Sequence, residues 1–332
     1  MVTRRTGFGL REAGAIHRDS PANPSLHSGA MKWALVGLAL CAGCGFDHGT
    51  VGGVADDAGG MDTGSGSDTE ADTDGDGLPD VMDNCAEVTN VEQRDHDDDG
   101  RGDACDGCPH LLDTGGDGDG DGVGDACDPR PTEPGDRIAF FEGFYADVAW
   151  TPVIGDDSWL VLDGTLRQEQ LDDAYQLVRD DDPDLGQVFV DARMRVNAIA
   201  DDPEARRSSG IVLSYRDAKH YIFCGLAAAQ PDGAEVNAGQ VYTDFFGTQY
   251  YDYEPGTFPA PMAGEWLTLQ ARTSPTAAGG TRIECVSHRG MATGTAVYEG
   301  DADLPGDVGI RTNGADASFD YVFVVAVPAA SS

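Results

Sequence analysis

Basic residues are scarce in this chain of 332 residues, which has 21 Lys and Arg against 59 Asp and Glu and a formal net charge of −38. Because contact with phosphates requires an excess of Lys and Arg, this balance excludes nucleic-acid binding. The partner that such a charge implies is a cation. The composition is also uneven along the chain, and the length allows two domains.

No hydrophobic run is long enough to cross a membrane. The apolar run at residues 33–40 has eight residues, whereas a transmembrane helix needs about 20. It follows a short basic start at Met31 and Lys32, an arrangement typical of a secretory signal. Residues 1–30 precede that start, are rich in Arg and show no periodicity. They are interpreted as an extension from a misassigned start codon, with a long charged leader as the alternative.

Two small residues precede Cys44. Segment 31–44 therefore resembles a bacterial lipoprotein signal, in which this Cys is lipidated and becomes the new N-terminus; cleavage before Cys41 is the alternative. The resemblance implies an exported lipoprotein at the outer membrane or cell surface, with a periplasmic or secreted protein as the alternative. Residues 45–71 are mostly Gly, Ser, Thr, Asp and Ala, a composition that predicts a flexible linker.

Aspartates recur in three segments with one spacing. In a frame of twelve residues, Asp occupies positions 1, 3, 5, 9 and 12 and Gly occupies position 6. The aspartates are Asp72, Asp74, Asp76, Asp80 and Asp83 in loop 1; Asp95, Asp97, Asp99, Asp103 and Asp106 in loop 2; and Asp117, Asp119, Asp121, Asp125 and Asp128 in loop 3. Oxygen ligands wrap a calcium ion at this spacing, with a carbonyl at position 7. Those carbonyls belong to Leu78, Arg101 and Val123. A solvated, disordered linker is the alternative.

Further residues between and within these loops follow a family pattern. Asp83-Asn84-Cys85 is followed by Asn90 and Gln93, and loop 2 ends in Asp103-Ala104-Cys105-Asp106. On these residues, segment 72–128 resembles thrombospondin type 3 repeats. The second half departs from the pattern, because His110 and its neighbours replace the Asn and the Gln. The resemblance implies an irregular rod that has almost no hydrophobic core and is held together by calcium ions and disulfides.

The charge of this region agrees with that implication. Residues 56–128 contain 24 acidic residues and two arginines, so the metal-free segment should repel itself and expand. Ions that bind only the folded form supply folding free energy by mass action. We therefore expect several Ca²⁺ ions, a rigid rod in their presence and a loose chain in their absence.

Six cysteines have predicted partners. The repeat resemblance implies the sequential bridges Cys85–Cys105 and Cys108–Cys127. A zinc site that uses the Cys105-x-x-Cys108 spacing is the alternative, although the neighbouring carboxylates favour a hard cation. Cys224 and Cys285 each lie within a predicted strand, and in an exported protein two such cysteines usually pair. Two separate buried thiols are the alternative.

Beyond residue 130 the sequence changes to hydrophobic runs of five to nine residues, divided by Gly, Pro, Asp and Asn. Strands are predicted at 137–144, 159–168, 175–179, 187–197, 210–216, 221–228, 236–243, 266–272, 281–287, 296–299, 308–311 and 318–327. Alternation along the fourth run predicts one shared face for Val188, Val190, Ala192, Met194 and Val196. Helical periodicity is not sustained anywhere. About a dozen short strands over residues 135–328 predict one large antiparallel sandwich.

Four short pieces give this domain a family resemblance. They are residues 159–166, residues 210–213 with Tyr221, residues 265–269, and residues 309–311 with 319–322. Their order is similar to that of the concanavalin A-like jelly roll of laminin G, lectin and glycanase domains. The predicted fold is thus mainly β, a concanavalin A-like antiparallel β-sandwich preceded by a calcium-stabilised, disulfide-linked repeat rod.

Catalytic motifs are missing from this domain. Glycanases of this fold use two carboxylates of one strand in the form E-x-D-x-x-E, and the closest sequence, at Glu169 and Asp172, lacks the second Glu. His220 and His288 are isolated histidines near predicted strand ends. The sequence therefore predicts no catalytic residue.

Aromatic residues cluster at 242–258 beside two aspartates. Sugar rings stack on aromatic faces and carboxylates accept hydroxyl hydrogen bonds, so these residues could form a ligand platform. Its predicted members are Tyr242, Asp244, Phe245, Tyr250, Tyr251 and Tyr253. A hairpin whose aromatics pack on the sheet is the alternative.

Together these features predict a calcium-binding lipoprotein of the cell surface that functions in adhesion or in recognition of a glycan or a surface protein. Contact with the membrane is expected through the lipid anchor only. A polysaccharide-degrading enzyme of the same fold and a structural spacer are the alternatives.

Overall fold

The computed structural model describes residues 71–112, 115–145, 150–156, 158–179, 185–201, 207–229, 233–243, 247–258, 264–301 and 306–328. The predicted N-terminal extension, the signal with Cys44 and residues 45–70 of the linker lie outside these residues, as do Asp244 and Phe245. The repeats and the sandwich belong to one compact unit, Gly66–Ser332. Within the described residues, no helix is long and apolar enough to cross a membrane.

All regular secondary structure in the described part of the chain is β. The strands are β1 (Arg137–Glu142), β2 (Thr151–Ile154), β3 (Trp159–Leu162), β4 (Thr165–Gln168), β5 (Ala174–Arg179), β6 (Gln187–Ile199), β7 (Ser208–Asp217), β8 (His220–Ala229), β9 (Gly233–Thr243), β10 (Gln249–Phe258), β11 (Leu267–Pro275), β12 (Thr281–Arg289), β13 (Ala292–Gly300), β14 (Asp307–Asn313) and β15 (Ala315–Val327).

The strands form two sheets. Sheet A has the order β13-β12-β11-β6-β15-β4-β3, and β1 also pairs with β15. Sheet B has the order β10-β9-β8-β7-β14-β5-β2. The pairings are antiparallel. The predicted class, an antiparallel sandwich, is confirmed.

The main core lies between the two sheets. Along β6, Val188, Val190, Ala192 and Met194 are buried in it and Val196 packs against it, which confirms the shared face that alternation predicts. A disulfide from Cys224 in β8 to Cys285 in β12 joins sheet B to sheet A across this core, with 5.6 Å between the two Cα atoms.

A second apolar cluster lies on the opposite face of sheet A. It contains Cys108, Val123 and Cys127 of the repeats together with four residues of β15, and it is packed by Ile138, Phe141 and Phe189. The β15 residues are Tyr321, Phe323, Val325 and Val327. The repeats therefore lie against the outer face of sheet A and complete a core with it.

Candidate functional site

Each aspartate loop is closed by the same backbone hydrogen bond. The N–H of the Gly at position 6 donates to the carboxylate at position 1, at 3.2 Å for Gly77 and Asp72, 2.9 Å for Gly100 and Asp95, and 3.0 Å for Gly122 and Asp117. These glycines have φ values of 100°, 94° and 95°. Since side-chain-bearing residues rarely adopt such angles, Gly at position 6 is needed for the turn.

One oxygen of the position 5 carboxylate also receives a backbone hydrogen bond in every loop. The N–H of position 7 donates to Asp76 at 2.9 Å, to Asp99 at 2.8 Å and to Asp121 at 3.0 Å. The carboxylates at position 3 of loops 1 and 2 accept from position 5 in the same way, both at 3.1 Å. These bonds fix the orientation of the side chains that accept them.

The carboxylates at positions 1, 3 and 5 converge in each loop. In each loop, one oxygen from each of the three lies within 4.8 Å of the others. Several of the oxygens are buried and accept no hydrogen bond from any described residue, namely Asp74 Oδ2, Asp95 Oδ1, Asp97 Oδ2 and both oxygens of Asp119; the same holds for Asp128 Oδ2 at position 12. Buried carboxylate oxygens without donors are costly unless a cation binds them. Hard oxygen ligands around a turn fit Ca²⁺.

The charges of the position 12 carboxylates act on the position 3 carboxylates of loops 1 and 2. Desolvation raises the pKa of Asp74, and the charges of Asp76, Asp83 and Asp72 raise it further. In loop 2 the pKa of Asp97 is raised by desolvation and by a set of charges that includes Asp106. A bound cation would lower the pKa values of both carboxyls, because it favours their charged forms.

Position 12 of loop 3 is the most strongly perturbed of these carboxyls. Desolvation, a hydrogen bond with Asp136 and the charges of Asp136 and Asp121 raise the pKa of Asp128 to about 6, against a backbone hydrogen bond that lowers it. Desolvation followed by the charges of Asp121, Asp117 and Asp125 also raises the pKa of Asp119. Loop 3 thus holds its negative charge at a cost in free energy that a metal ion would offset.

The position 9 carboxylates have a bracing role in the structure. Asp80, Asp103 and Asp125 accept a hydrogen bond from the backbone N–H of position 2, at 2.7 Å from Thr73, 2.8 Å from His96 and 2.8 Å from Gly118. They are not among the converging oxygens of positions 1, 3 and 5. These bonds connect the beginning of each loop to its second half.

The Asn and Gln of the repeat pattern orient ligands of loop 1. The backbone N–H of Asn90 donates to Asp76 Oδ2 at 3.0 Å, and Gln93 Nε2 donates to Asp83 Oδ1 at 2.7 Å. In loop 3 the backbone N–H groups of Gly135 and Asp136 donate to Asp121 Oδ2 at 3.0 and 2.8 Å. Backbone leading into β1 therefore supplies for loop 3 what Asn90 supplies for loop 1.

Asp136 is a candidate ligand that the sequence frame misses. It is buried, and one of its oxygens lies within 4.8 Å of oxygens from Asp121 and Asp128. Arg130 Nε donates to it at 3.0 Å, which offsets part of the local charge. Asp136 lies eight residues beyond the third frame, so only the fold brings it to the loop.

Two disulfides enclose the repeats. Cys85 is bonded to Cys105 and Cys108 to Cys127, each with 5.7 Å between Cα atoms. This is the sequential pairing that the repeat resemblance implies. It excludes the alternative zinc site, because disulfide sulfurs cannot act as the thiolate ligands that zinc requires.

The structure divides the predicted aromatic platform. β9 and β10 form a hairpin in which Tyr251 faces Val241 and Tyr253 faces Gly239 in register. These two tyrosines are 38% and 46% exposed and lie on the outer face of sheet B. Tyr242 follows Val241 directly in the strand, so it lies on the other face of β9. Tyr250 of β10 is the register partner of Tyr242.

The outer face of sheet B is crossed by two central rows of residues in register. One row contains Gln176, Arg311, Gly210, Gly225, Asn237 and Pro255; the next contains Val178, Gly309, Val212, Phe223, Gly239 and Tyr253. Neither row, all of whose members are described, contains a carboxylate. Retaining and inverting glycanases need two carboxyl groups about 5–10 Å apart, so these rows lack that pair.

A comparison with known protein families gives one match. Residues 64–93 match the family of thrombospondin type 3 repeats. No curated protein matches the sequence.

Several solved structures resemble part of the chain. The chain is similar to the CBM2 module of Lactobacillus casei BL23 phage J-1 evolved Dit, with 8% identity, a TM-score of 0.41, and coverage of 59% of this chain and 98% of that one. It is similar to a legume lectin-like domain from Entamoeba histolytica, with 10% identity, a TM-score of 0.39 and coverage of 54% and 90%. It is also similar to Bacillus licheniformis β-glucanase, with 12% identity, a TM-score of 0.36, and coverage of 56% of this chain and 96% of that one. The match to thrombospondin type 3 repeats thus covers residues 64–93, and the likeness to the solved structures is one of fold alone.

Proposed function

We propose that this is an exported calcium-binding protein in which metal ions hold the three aspartate loops against a carbohydrate-recognising sandwich. The observation that carries the proposal is the convergence of carboxylate oxygens at positions 1, 3 and 5 of every loop. Ca²⁺ takes six to eight oxygen ligands. The position 12 carboxylate and the position 7 carbonyl of Leu78, Arg101 or Val123 would add to the three convergent side chains, while position 9 braces the loop.

Calorimetric titration tests the metal sites directly. The full chain, stripped with a chelator and titrated with CaCl₂, should bind several equivalents of Ca²⁺. Asp74→Asn, Asp97→Asn and Asp119→Asn should each weaken one loop, whereas Asp301→Asn, which removes an exposed carboxylate from the sandwich, should leave the titration unchanged. No heat with CaCl₂ in the wild-type chain would overturn the proposal.

Export is supported by the disulfides of the repeats, since such bridges persist in oxidising compartments. We place the lipid anchor at Cys44 and the mature protein at the outer membrane or cell surface. Labelling with a fatty-acid analogue in a bacterial host checks this: incorporation should be lost in Cys44→Ala and retained in Cys41→Ala. The reverse result would move the cleavage site.

The outer face of sheet B is the candidate carbohydrate surface. Tyr251 and Tyr253 are its exposed aromatic residues, and Tyr221 and Phe223 of β8 lie buried on the same face. Aromatic faces of this kind pack against sugar rings. A glycan array with the calcium-loaded full chain should yield ligands whose binding is lost in the Tyr251→Ala/Tyr253→Ala variant. Met291→Ala, at an exposed hairpin of sheet A, is the matched control. An empty array would favour a spacer or a protein partner.

A further inference from the structure

Arg311 of β14 is a buried cation that has no ion pair among the described residues. It is 8% exposed, and its guanidinium carbon lies 5.4 and 5.3 Å from the ring centroids of Tyr221 and Phe223. No described residue forms an ion pair or a hydrogen bond with its guanidinium. The guanidinium of Arg keeps its charge in proteins, and a desolvated charge without a partner is costly.

Gln176 of β5 stands beside Arg311 with a second unsatisfied polar group. Gln176 is 1% exposed, and its Oε1 and Nε2 atoms are both buried without a hydrogen-bond partner among the described residues. Gln176 and Arg311 are partners in the register of two antiparallel strands. Side chains of such partners lie on one face, with neighbouring strands about 4.8 Å apart. The pair therefore presents five guanidinium donors and an amide on one side of the sheet.

The same row continues with residues that carry small side chains or none. Gly210 and Gly225 are the next two members, and Asn237 follows them on β9. Asn237 is 8% exposed, and its Oδ1 is also buried without a hydrogen-bond partner among the described residues. Three strand spacings, about 14 Å, separate the Arg311 and Asn237 positions. Gly210 and Gly225 are buried as well, and they carry no side chain that would stand between the polar groups at the two ends of the row.

We propose that this row binds an acidic sugar, one whose ring carries a single carboxylate or sulfate group. The planar fork of Arg311 donates two parallel hydrogen bonds to the anionic oxygens, which is the geometry that Arg favours. Gln176 Nε2 donates a further bond to the same group. Asn237 reaches a hydroxyl at the far side of the ring. The inference rests on the proposed carbohydrate recognition and adds the charge class of the ligand.

Short oligosaccharides of equal length test the proposal. Trigalacturonate, a sulfated galactotriose and neutral galactotriose are titrated into the calcium-loaded full chain at fixed free Ca²⁺. At least one of the two acidic probes should bind, and the stronger of them identifies the anionic group. Galactotriose should bind at least about tenfold more weakly, because hydrogen bonds to charged groups discriminate by this order.

Substitutions locate the binding to this row. Arg311→Met retains the apolar stem and should lose about tenfold to a hundredfold in affinity for the acidic probe. Gln176→Leu should weaken binding and also raise the melting temperature, since it removes a buried amide that has no partner. Arg282→Met removes an exposed Arg from β12 and is the charge-matched control, with affinity unchanged. If Arg311→Met fails to fold, Gln176→Leu and Asn237→Ala carry the test.

Several results would overturn the proposal. Equal binding of neutral and acidic probes would do so, as would wild-type affinity in a folded Arg311→Met variant. If neutral glycans bind through Tyr251 and Tyr253 and acidic ones do not, the proposed carbohydrate recognition stands and the acidic specificity fails. If no glycan of either charge binds, both fail.

Discussion

The imidazole ring of His110, in the repeats, lies 4.6 Å, centroid to centroid, from the ring of Phe323 in β15. The same imidazole is 4.8 Å from the ring of Tyr321, and its Nε2 atom is 3.7 Å from Asp191 Oδ2 of β6. All four residues are buried. The repeats thus contribute to a shared core, and metal binding to the loops is thermodynamically linked to the stability of sheet A.

Chelation of calcium should therefore destabilise the sandwich as well as the repeats. Loss of the ions leaves the loop carboxylates in mutual repulsion, and expansion of the repeats removes Cys108, Val123 and Cys127 from the outer face of sheet A. We expect thermal unfolding followed by tryptophan fluorescence, which reports on Trp150, Trp159 and Trp266 of the sandwich, to shift to lower temperature in EGTA. A sandwich transition that stays at the same temperature with and without EGTA would show that the two parts are independent.

Val123 connects the two parts most directly. Its side chain is fully buried in the cluster shared with β15, and its backbone N–H donates to Asp121 Oδ1 at 3.0 Å. Val123→Ala removes two methyl groups, which should cost about 2 kcal/mol of unfolding free energy, and it should also weaken calcium binding in loop 3. Leu78→Ala changes the same position of loop 1, outside the shared cluster, and serves as the control. Denaturant unfolding at saturating Ca²⁺ measures the first effect. Equal losses in the two variants would contradict a special role for Val123.

Asp119 should affect the calcium-free and calcium-loaded proteins in opposite directions. Both of its carboxylate oxygens are buried without a hydrogen bond from any described residue, and three neighbouring aspartates raise its pKa further after desolvation. Asp119→Asn removes this repulsion, so we expect a higher melting temperature in EGTA and a lower one in CaCl₂. Asp125→Asn changes a bracing carboxylate and should lower the melting temperature in both buffers. A lower value for Asp119→Asn in EGTA would indicate a purely structural role.

Local spacing was sufficient to predict the aspartate loops and the alternating face of β6, because both depend on short-range periodicity. The contact between the repeats and sheet A depends on residues 213 positions apart, such as His110 and Phe323. A signal for it was present: β15 is apolar on both faces, since Tyr321, Phe323 and Val325 alternate with Val322 and Val324. A strand of this kind needs a partner on each side. The departure from the repeat pattern at His110 is explained by the same contact.

Strand boundaries failed where backbone turns interrupt apolar runs. The predicted strand at 159–168 is a hairpin of β3 and β4, in which Asp163 and Gly164 have φ values of 52° and 70°. Asp-Gly with both φ values positive is favoured in two-residue hairpin turns, so this division could have been predicted. β2 and β10 were missed because each contains a Pro and lies at the edge of sheet B, where Pro is tolerated.

The disulfide between Cys224 and Cys285 should stabilise the sandwich substantially. It joins β8 to β12 across the core, and the two residues are 61 positions apart in sequence. The chain-entropy relation gives about 4 kcal/mol for a loop of this length. We expect the Cys224→Ala/Cys285→Ala variant to lose about that much unfolding free energy in urea while its calcium titration stays unchanged. A loss of calcium binding at native conditions would instead mean that the bridge also supports the repeats.

Calcium binding in loop 3 should weaken as the pH falls through about 6. The pKa of Asp128 is raised to about 6, chiefly by desolvation and then by Asp136 and Asp121, above the ordinary value near 3.9. In the calcium-free protein its ionised form therefore lowers stability at neutral pH, and this cost decreases as the pH falls from about 6 and is gone below the unfolded value near 3.9. In the calcium-loaded protein a lower pH instead lowers stability, because a proton competes with the ion for the carboxylate.

Calorimetric titrations at pH 7.5 and 5.5 compare the two forms. We expect lower affinity at pH 5.5 in the wild-type chain and a smaller difference in Asp128→Asn, which has no titrating group at this position. Some pH dependence should remain in that variant, since the pKa values of Asp74, Asp97 and Asp119 are raised as well. Asp301→Asn should retain the full difference, because its carboxylate belongs to the sandwich. Equal affinities of the wild-type chain at the two pH values would show that Asp128 does not bind the ion.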